Sequence, residues 1–233
     1  DRGRATIPLP GIDVPFHSRF LLSGVPSFRA CLAKAITLEG TARVLPSVLH
    51  RYVPNLVAMP FELSPRFVAV VHAVTKSPML EAAASAIEAG SVSAWNAATA
   101  DRTSLGRSLL LELMAFQFAS PVQWINTQRH FFTLPADNVA SGEGGGVGGV
   151  SEAELAAASA VARVVTETGT EAALSARART AAAEAISKAC SDRAEAAELM
   201  ARIIPSRFRP RLPGGVAEPG VRAVVEVGPA ATL

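Results

Sequence analysis

Val14, Pro15, Phe16, His17 and Ser18 form the stretch of this chain best suited to chemistry. A short apolar run over residues 7–14 ends at Pro15, and His17 follows at once. A run of helical character then begins near Ser18. Open α/β sheets place their chemistry at such strand-to-helix turns, at the rim of the sheet. Imidazole titrates near neutrality, so it takes up and returns protons at working pH. A satisfied structural histidine is the plain alternative for a lone residue of this type. His50, His72 and His130 fall on expected helical or loop surfaces and receive no role. Cys31 and Cys190 are far apart and lack metal-ligand spacing, so no metal is expected.

Composition bounds the rest. The 233 residues suffice for one large domain, or for one domain with a long insertion. Hydrophobic residues make up 49%, enough for a real core. The net charge of +2 is too small to argue for nucleic acid or an anionic membrane. No run of ~18 apolar residues suggests a transmembrane helix, and no signal peptide is read. The two cysteines read as reduced thiols in a cytoplasmic protein. Residue 1 is Asp, and the last residues, Gly228 to Leu233, directly follow an apolar run. The expectation is a piece of something longer.

The elements that must position the histidine follow from pattern. Residues 18–36 read as helical, with a break at Gly24 and Pro26. Residues 42–52 read as a connector with room for one helical turn after Pro46. Residues 53–58 read as a short buried strand. Ser64 caps a helix with Pro65 at its first position. Ser77-Pro78 opens an Ala-rich helix to about Ala89, and a polar segment spans residues 90–101. Thr103 or Ser104 caps a helix whose Leu109, Leu110, Leu113, Met114 and Phe116 make a wide apolar face. That helix stops before Pro121. Ser120 then caps another, with Pro121 in its first turn. Residues 137–150 are glycine-rich and read as a flexible linker. Residues 151–168 and 171–204 read as two Ala-rich helices with thin apolar stripes and modest burial. A Pro-, Gly- and Arg-rich return linker covers 205–220, and residues 222–227 have strand character. Arg207, Arg209 and Arg211 read as part of that solvated linker.

The order of motifs carries a resemblance. Val-Pro-Phe-His-Ser, Val-Pro-Asn-Leu-Val-Ala, Phe-Gln-Phe-Ala-Ser-Pro-Val-Gln-Trp-Ile-Asn-Thr-Gln and Val-Glu-Val-Gly-Pro occur in sequence. Together they resemble the malonyl-CoA:acyl-carrier-protein transacylase family. The nearest look is to the malonyl/palmitoyl transferase domain of type I fatty acid synthases of fungi and actinobacteria. The resemblance covers about residues 7–134 and 221–233. It implies an α/β fold: the C-terminal portion of an α/β-hydrolase-like acyltransferase domain, helix-rich, with a long Ala-rich helical insertion. Residues 1–136 would belong to that domain, from the exit of its ferredoxin-like subdomain. Residues 137–220 would be a Gly-rich linker and a helical or partly disordered insertion, with no family counterpart. Residues 221–233 would bring the chain back as a strand of the domain.

The resemblance also implies a mechanism, a two-step ping-pong transfer. A serine in a Gly-x-Ser-x-Gly elbow attacks an acyl thioester, and a histidine accepts its proton. By motif match His17 is that general base. A backbone carbonyl four residues before the Pro-Val-Gln-Trp proline orients it; here that residue is Gln117. Phe16 matches a malonyl-selective pattern, where bulk disfavours an α-methyl branch by only ~1–3 kcal/mol. A core Phe at a strand end is its alternative. Asn55 lines the site, or else satisfies local backbone groups. The substrates implied are malonyl-CoA and the phosphopantetheine of an acyl carrier protein, with no covalently bound cofactor. Other domains of the same synthase are the further partners. One departure is firm: no Gly-x-Ser-x-Gly occurs in the 233 residues. The nucleophile and the arginine for the malonyl carboxylate are therefore expected upstream, and the fragment alone is expected to be inactive. Two other readings remain open: a polyketide synthase acyltransferase fragment, and a non-catalytic helical interaction module centred on residues 151–204.

Overall fold

A computed structural model describes residues 11, 13–135, 150–169, 176–190, 196 and 208–210. The chain enters through a 3-10 turn at Arg19–Gly24 and continues into α1, Val25–Ala35, with Pro26 in the first turn. The expected break at Gly24 and Pro26 is thus a change of helix type. α2 is Leu38–Val48, capped by Thr37, whose hydroxyl accepts from the Gly40 N–H. α3 is Pro65–Thr75, capped by Ser64 and started by Pro65. α4 (Glu81–Glu88) follows the single turn Pro78–Leu80, and α5 is Val92–Ala98. α6, Arg102–Gln117, is the longest helix near the histidine. α7 is Trp124–Phe132, α8 Glu152–Thr168 and α9 Ala176–Ala189.

The main core forms around α3. Phe67, Val68, Val70 and Val71 are all fully buried, so this helix is buried around most of its circumference, with Arg66 and His72 as its polar exceptions. α8 lies along it, and α4 and α6 also pack on it. α8 contributes Leu155, Ala157, Ala158, Val161, Val164 and Val165 to the same cluster. This corrects the expectation of modest burial for residues 151–168. The reason is size matching. Alanines let two helix axes approach closely, and the large side chains of α3 fill the space between. A capping box between Ser151 and Glu154 starts α8, and Gly169 at φ +87° ends it.

Several expectations are corrected. Residues 53–58 form no strand. The Val57 and Ala58 N–H groups both donate to the Pro54 carbonyl, closing a turn that buries Leu56, Val57 and Ala58. Pro54 and Pro60 lack the N–H groups that a ladder needs. The connector expected at 42–52 is largely α2, with Pro46 inside it. Pro46 leaves only the Ala42 carbonyl without its helical donor, and Ala42 is exposed to water. The polar segment at 90–101 contains α5, anchored by the buried Trp95 and capped by Ser91. Asp101, not Thr103 or Ser104, caps α6, accepting from both their N–H groups. α7 begins at Trp124 rather than at Ser120.

The described residues are helix-rich. The α/β class expected from sequence finds no larger sheet among them than one three-residue pair. β1 (Thr133–Pro135) and β2 (Phe208–Pro210) run antiparallel, with Thr133 opposite Pro210 and Pro135 opposite Phe208. That pair brings Thr133–Pro135 and Phe208–Pro210 side by side. No single helix among the described residues is long and apolar enough to cross a membrane. The linker expected at 137–150 lies outside the described residues except for Val150. So do most of the run at 7–14, most of the return linker and the strand at 222–227, while the single helix expected over 171–204 is corrected to α9, which ends at Ala189 before a non-helical Cys190.

Candidate functional site

His17 sits at the C-terminal end of α6, in the turn that leads into Arg19–Gly24. Its Nδ1 lies 2.8 Å from the Gln117 carbonyl oxygen. A carbonyl only accepts, so Nδ1 carries the hydrogen and Nε2 is left with its lone pair. The His17 backbone N–H donates to the next carbonyl, that of Phe118, at 2.7 Å. Gln117 is the last residue of α6, where carbonyls have no partner within the helix. One histidine thus satisfies two carbonyls at one helix end.

The backbone is shaped for this. His17 has φ +59°, in the left-handed region. Side chains adopt that region at a cost, and histidine does so more readily than most. The two hydrogen bonds offset the cost and hold the ring in place. Phe16 N–H donates to the Val14 carbonyl, and the Ser18 hydroxyl donates to that of Pro15. These local bonds tie the turn before and after the histidine. The ring itself is exposed, so Nε2 is open to a reacting group.

The other residues singled out from sequence fall as follows. Gln117 contributes its main-chain oxygen, and its side chain is not needed. Phe16 is 61% exposed among the described residues. Asn55 is half-buried in the 53–58 turn, and its carbonyl accepts from the Gln123 N–H at 3.1 Å. Among the described residues no hydrogen bond joins Asn55 to His17. His72 and His50 pair with carboxylates away from this turn, Glu81 at 3.0 Å and Glu62 at 3.8 Å. Among the described residues no group of three His, Cys, Asp or Glu is placed to hold a metal ion.

Sequence reasoning missed a polar cluster behind the site. Glu112, fully buried on α6, faces Arg29 of α1 and Ser77 at the start of the α4 turn. The Arg29 Nη2 donates to Oε2 at 2.8 Å, and the Ser77 hydroxyl donates to Oε1 at 2.8 Å. Arg29 Nε lies 2.7 Å from Oε1, an ion-pair contact off the alignment of a hydrogen bond. The guanidinium also lies over the Phe116 ring, 5.6 Å from its centroid. The sequence did carry a signal: Glu112 interrupts a run of leucines on the face read as apolar.

A histidine held by a main-chain carbonyl, with the opposite ring nitrogen open, is an arrangement for moving protons to and from a nucleophile. The chain's relatives are fatty acid synthases and their subunits. It is 46% identical over 132 residues to Fatty acid synthase 2 of Mycosarcoma maydis, a match covering 56% of this chain and 3% of that protein. It is 45% identical over 80 residues to the fatty acid synthase beta subunit pigK of Monascus ruber, covering 34% and 4%. To the fatty acid synthase subunit beta of Saccharomyces cerevisiae it is 40% identical over 77 residues, covering 33% and 4%. The homologues are therefore fungal fatty acid synthase subunits, matched over part of this chain. The chain spans only about 3–4% of the length of these relatives. No family model matches the chain, and no solved structure matches it.

Proposed function

We propose that this chain is the base-bearing part of a fatty acid synthase acyltransferase domain. It transfers malonyl groups, and palmitoyl groups on the same chemistry, between CoA and an acyl carrier protein. The observation that carries the reading is the His17 Nδ1 contact with the Gln117 carbonyl. It fixes the tautomer a general base needs, and the bond survives when the ring becomes cationic, because Nδ1–H donates in both states.

The steps follow from that ring. A serine supplied by a Gly-x-Ser-x-Gly segment outside these 233 residues gives its proton to Nε2 as Oγ attacks the thioester carbonyl. The intermediate collapses, the C–S bond breaks, and the CoA sulfur leaves with the proton from the imidazolium. The carrier's phosphopantetheine thiol then gives its proton to Nε2, and its sulfur attacks the acyl-serine ester. Serine leaves and recovers the proton. No metal and no tightly held cofactor enters this scheme. The α/β-hydrolase-like sheet belongs to the same proposal, with the helices around α6 flanking it, and so does a cytoplasmic location. Phe16, exposed beside the base, and Asn55 would line the acyl group.

The test joins this chain to the segment carrying the serine elbow and measures malonyl transfer from malonyl-CoA to a carrier protein. His17→Ala is expected to lower the rate ~10²-fold or more, the effect of removing a general base. Unchanged transfer would sink both the role of His17 and the motif alignment behind it.

A further inference from the structure

We propose that the Arg29–Glu112 pair is a positioning device, a register pin that holds α1 against α6 so that His17 meets the Gln117 carbonyl. This rests on the reading of His17 as the base. The two helices run antiparallel, and their contacts form a ladder. His17 meets Gln117 and Phe118; Val25 meets Ala115 and Ala119; Arg29 meets Glu112. At the far end, Arg107 donates to the carbonyls of Ala33 and Ile36, at 2.8 and 2.6 Å.

The fully buried part of this ladder's apolar rung is small. Its fully buried members are Val25, Ala115 and Ala119, a cluster separate from the main core, with Leu21, Leu32, Phe116 and Phe118 packed half-buried against it. Apolar contact is not directional, so it sets the register of one helix along the other less sharply than a charged pair does. A slide of one helical turn is about 5.4 Å. That would carry His17 well beyond hydrogen-bond reach of a carbonyl now 2.8 Å away. Directional groups forbid the slide. Glu112 is itself fixed, since Ser77 donates to one of its oxygens from a third element. Arg29 approaches both oxygens of that fixed carboxylate. Buried pairs of this sort add little net stability, and fixing register is their best-attested use. Arg29 touches no reacting atom. It acts through α1, whose N-terminal end is fed by the turn that carries His17.

The tautomer of His17 reads this out directly. Nitrogen-15 labelling of the full 233-residue chain resolves four imidazole rings, and His17→Gln assigns the one of interest. The spectra are recorded at about pH 8, above the ordinary titration of imidazole. The wild-type ring is expected almost wholly in the Nδ1–H form. Arg29→Met, and the apolar pair Arg29→Met with Glu112→Leu, should melt cooperatively yet show a mixture with the Nε2–H form. Arg29→Lys keeps one charged contact and should fall between. If Arg29→Met fails to fold, the double variant decides, because it leaves no buried charge unpaired. A pure Nδ1–H ring in the folded double variant would overturn the pin and leave the base intact. A wild-type ring already in the Nε2–H form would instead overturn the base, since Nε2 would then have no lone pair to offer.

Discussion

The contact of α3 with α8 and the contact of α1 with α6 are built from opposite materials. The first joins Phe67, Val68 and Val71 to Leu155, Val161 and Val165, all within the main apolar cluster. The second buries only one valine and two alanines fully, under half-buried Leu32 and Phe116, and adds charged and main-chain bonds at either side. Apolar area supplies stability in proportion to its extent, with little regard to direction. Polar pairs supply little net stability and much direction. The first contact holds the molecule together. The second holds one imidazole against one carbonyl.

The comparison breaks most severely at Arg29. Arg29→Met strands Glu112, which is 0% exposed, without its counter-ion. Breaking a buried pair in this way costs ~3–5 kcal/mol. Replacing Glu112 by Leu as well should return most of that stability, measured as the urea midpoint. A double variant as unstable as the single one would mean that the α1–α6 contact draws stability, and not only direction, from its charges. Next in size is Leu155→Ala, in the other contact. Leu155 is fully buried, and its loss should cost ~2–5 kcal/mol. It should leave the His17 tautomer untouched. A change below ~1 kcal/mol would show α8 to be the loosely attached arm that its composition suggested.

How much of this was legible beforehand follows the same division. The histidine at its turn and the caps at Ser64 and Ser77 depend on local motif and turn chemistry, which a sequence displays, whereas the Gln117 carbonyl, 100 positions from His17, was reached only through the family resemblance. Pro65 and Pro78 announce helix starts because their missing N–H groups cost nothing there. The partner of Glu112 was not legible. It comes from a residue 83 positions away, and only packing brings the two together. The burial of α8 was hidden for another reason. Its alanines look neutral in isolation, and their value lies in the large side chains of α3 opposite. Residues 53–58 were misjudged because an apolar run bounded by prolines reads alike as a buried strand and as a buried turn. The missing N–H groups of Pro54 and Pro60 decide it.

α6 packs on α3 in the main core as well as on α1, and its N-terminal cap separates the two roles with the smallest effect. Leu105, Leu109 and Leu113 serve the main core, while Glu112 and Gln117 serve the site. Asp101 caps the core end. The Ser104 hydroxyl, above all, and then the N–H groups of Ser104 and Thr103 hold its carboxyl below its ordinary value of 3.8. A carboxyl with a lowered folded-state value binds its proton less readily folded than unfolded. Its stabilising effect is therefore complete above the ordinary value and is lost as pH falls through the lower one. Asp101→Asn keeps a capping oxygen but cannot titrate, so the difference in urea midpoint between wild type and variant should shrink from about pH 6 to about pH 3. A difference that stays constant over that range would mean the charge of Asp101 does nothing for the cap. The His17 tautomer, read in the same variant near neutrality, should not change. α6 has 16 residues and is about 24 Å long, and fraying is confined to the first turn. A shifted tautomer in Asp101→Asn would show that the two ends of α6 are not independent, and that the core contact also sets the position of the imidazole.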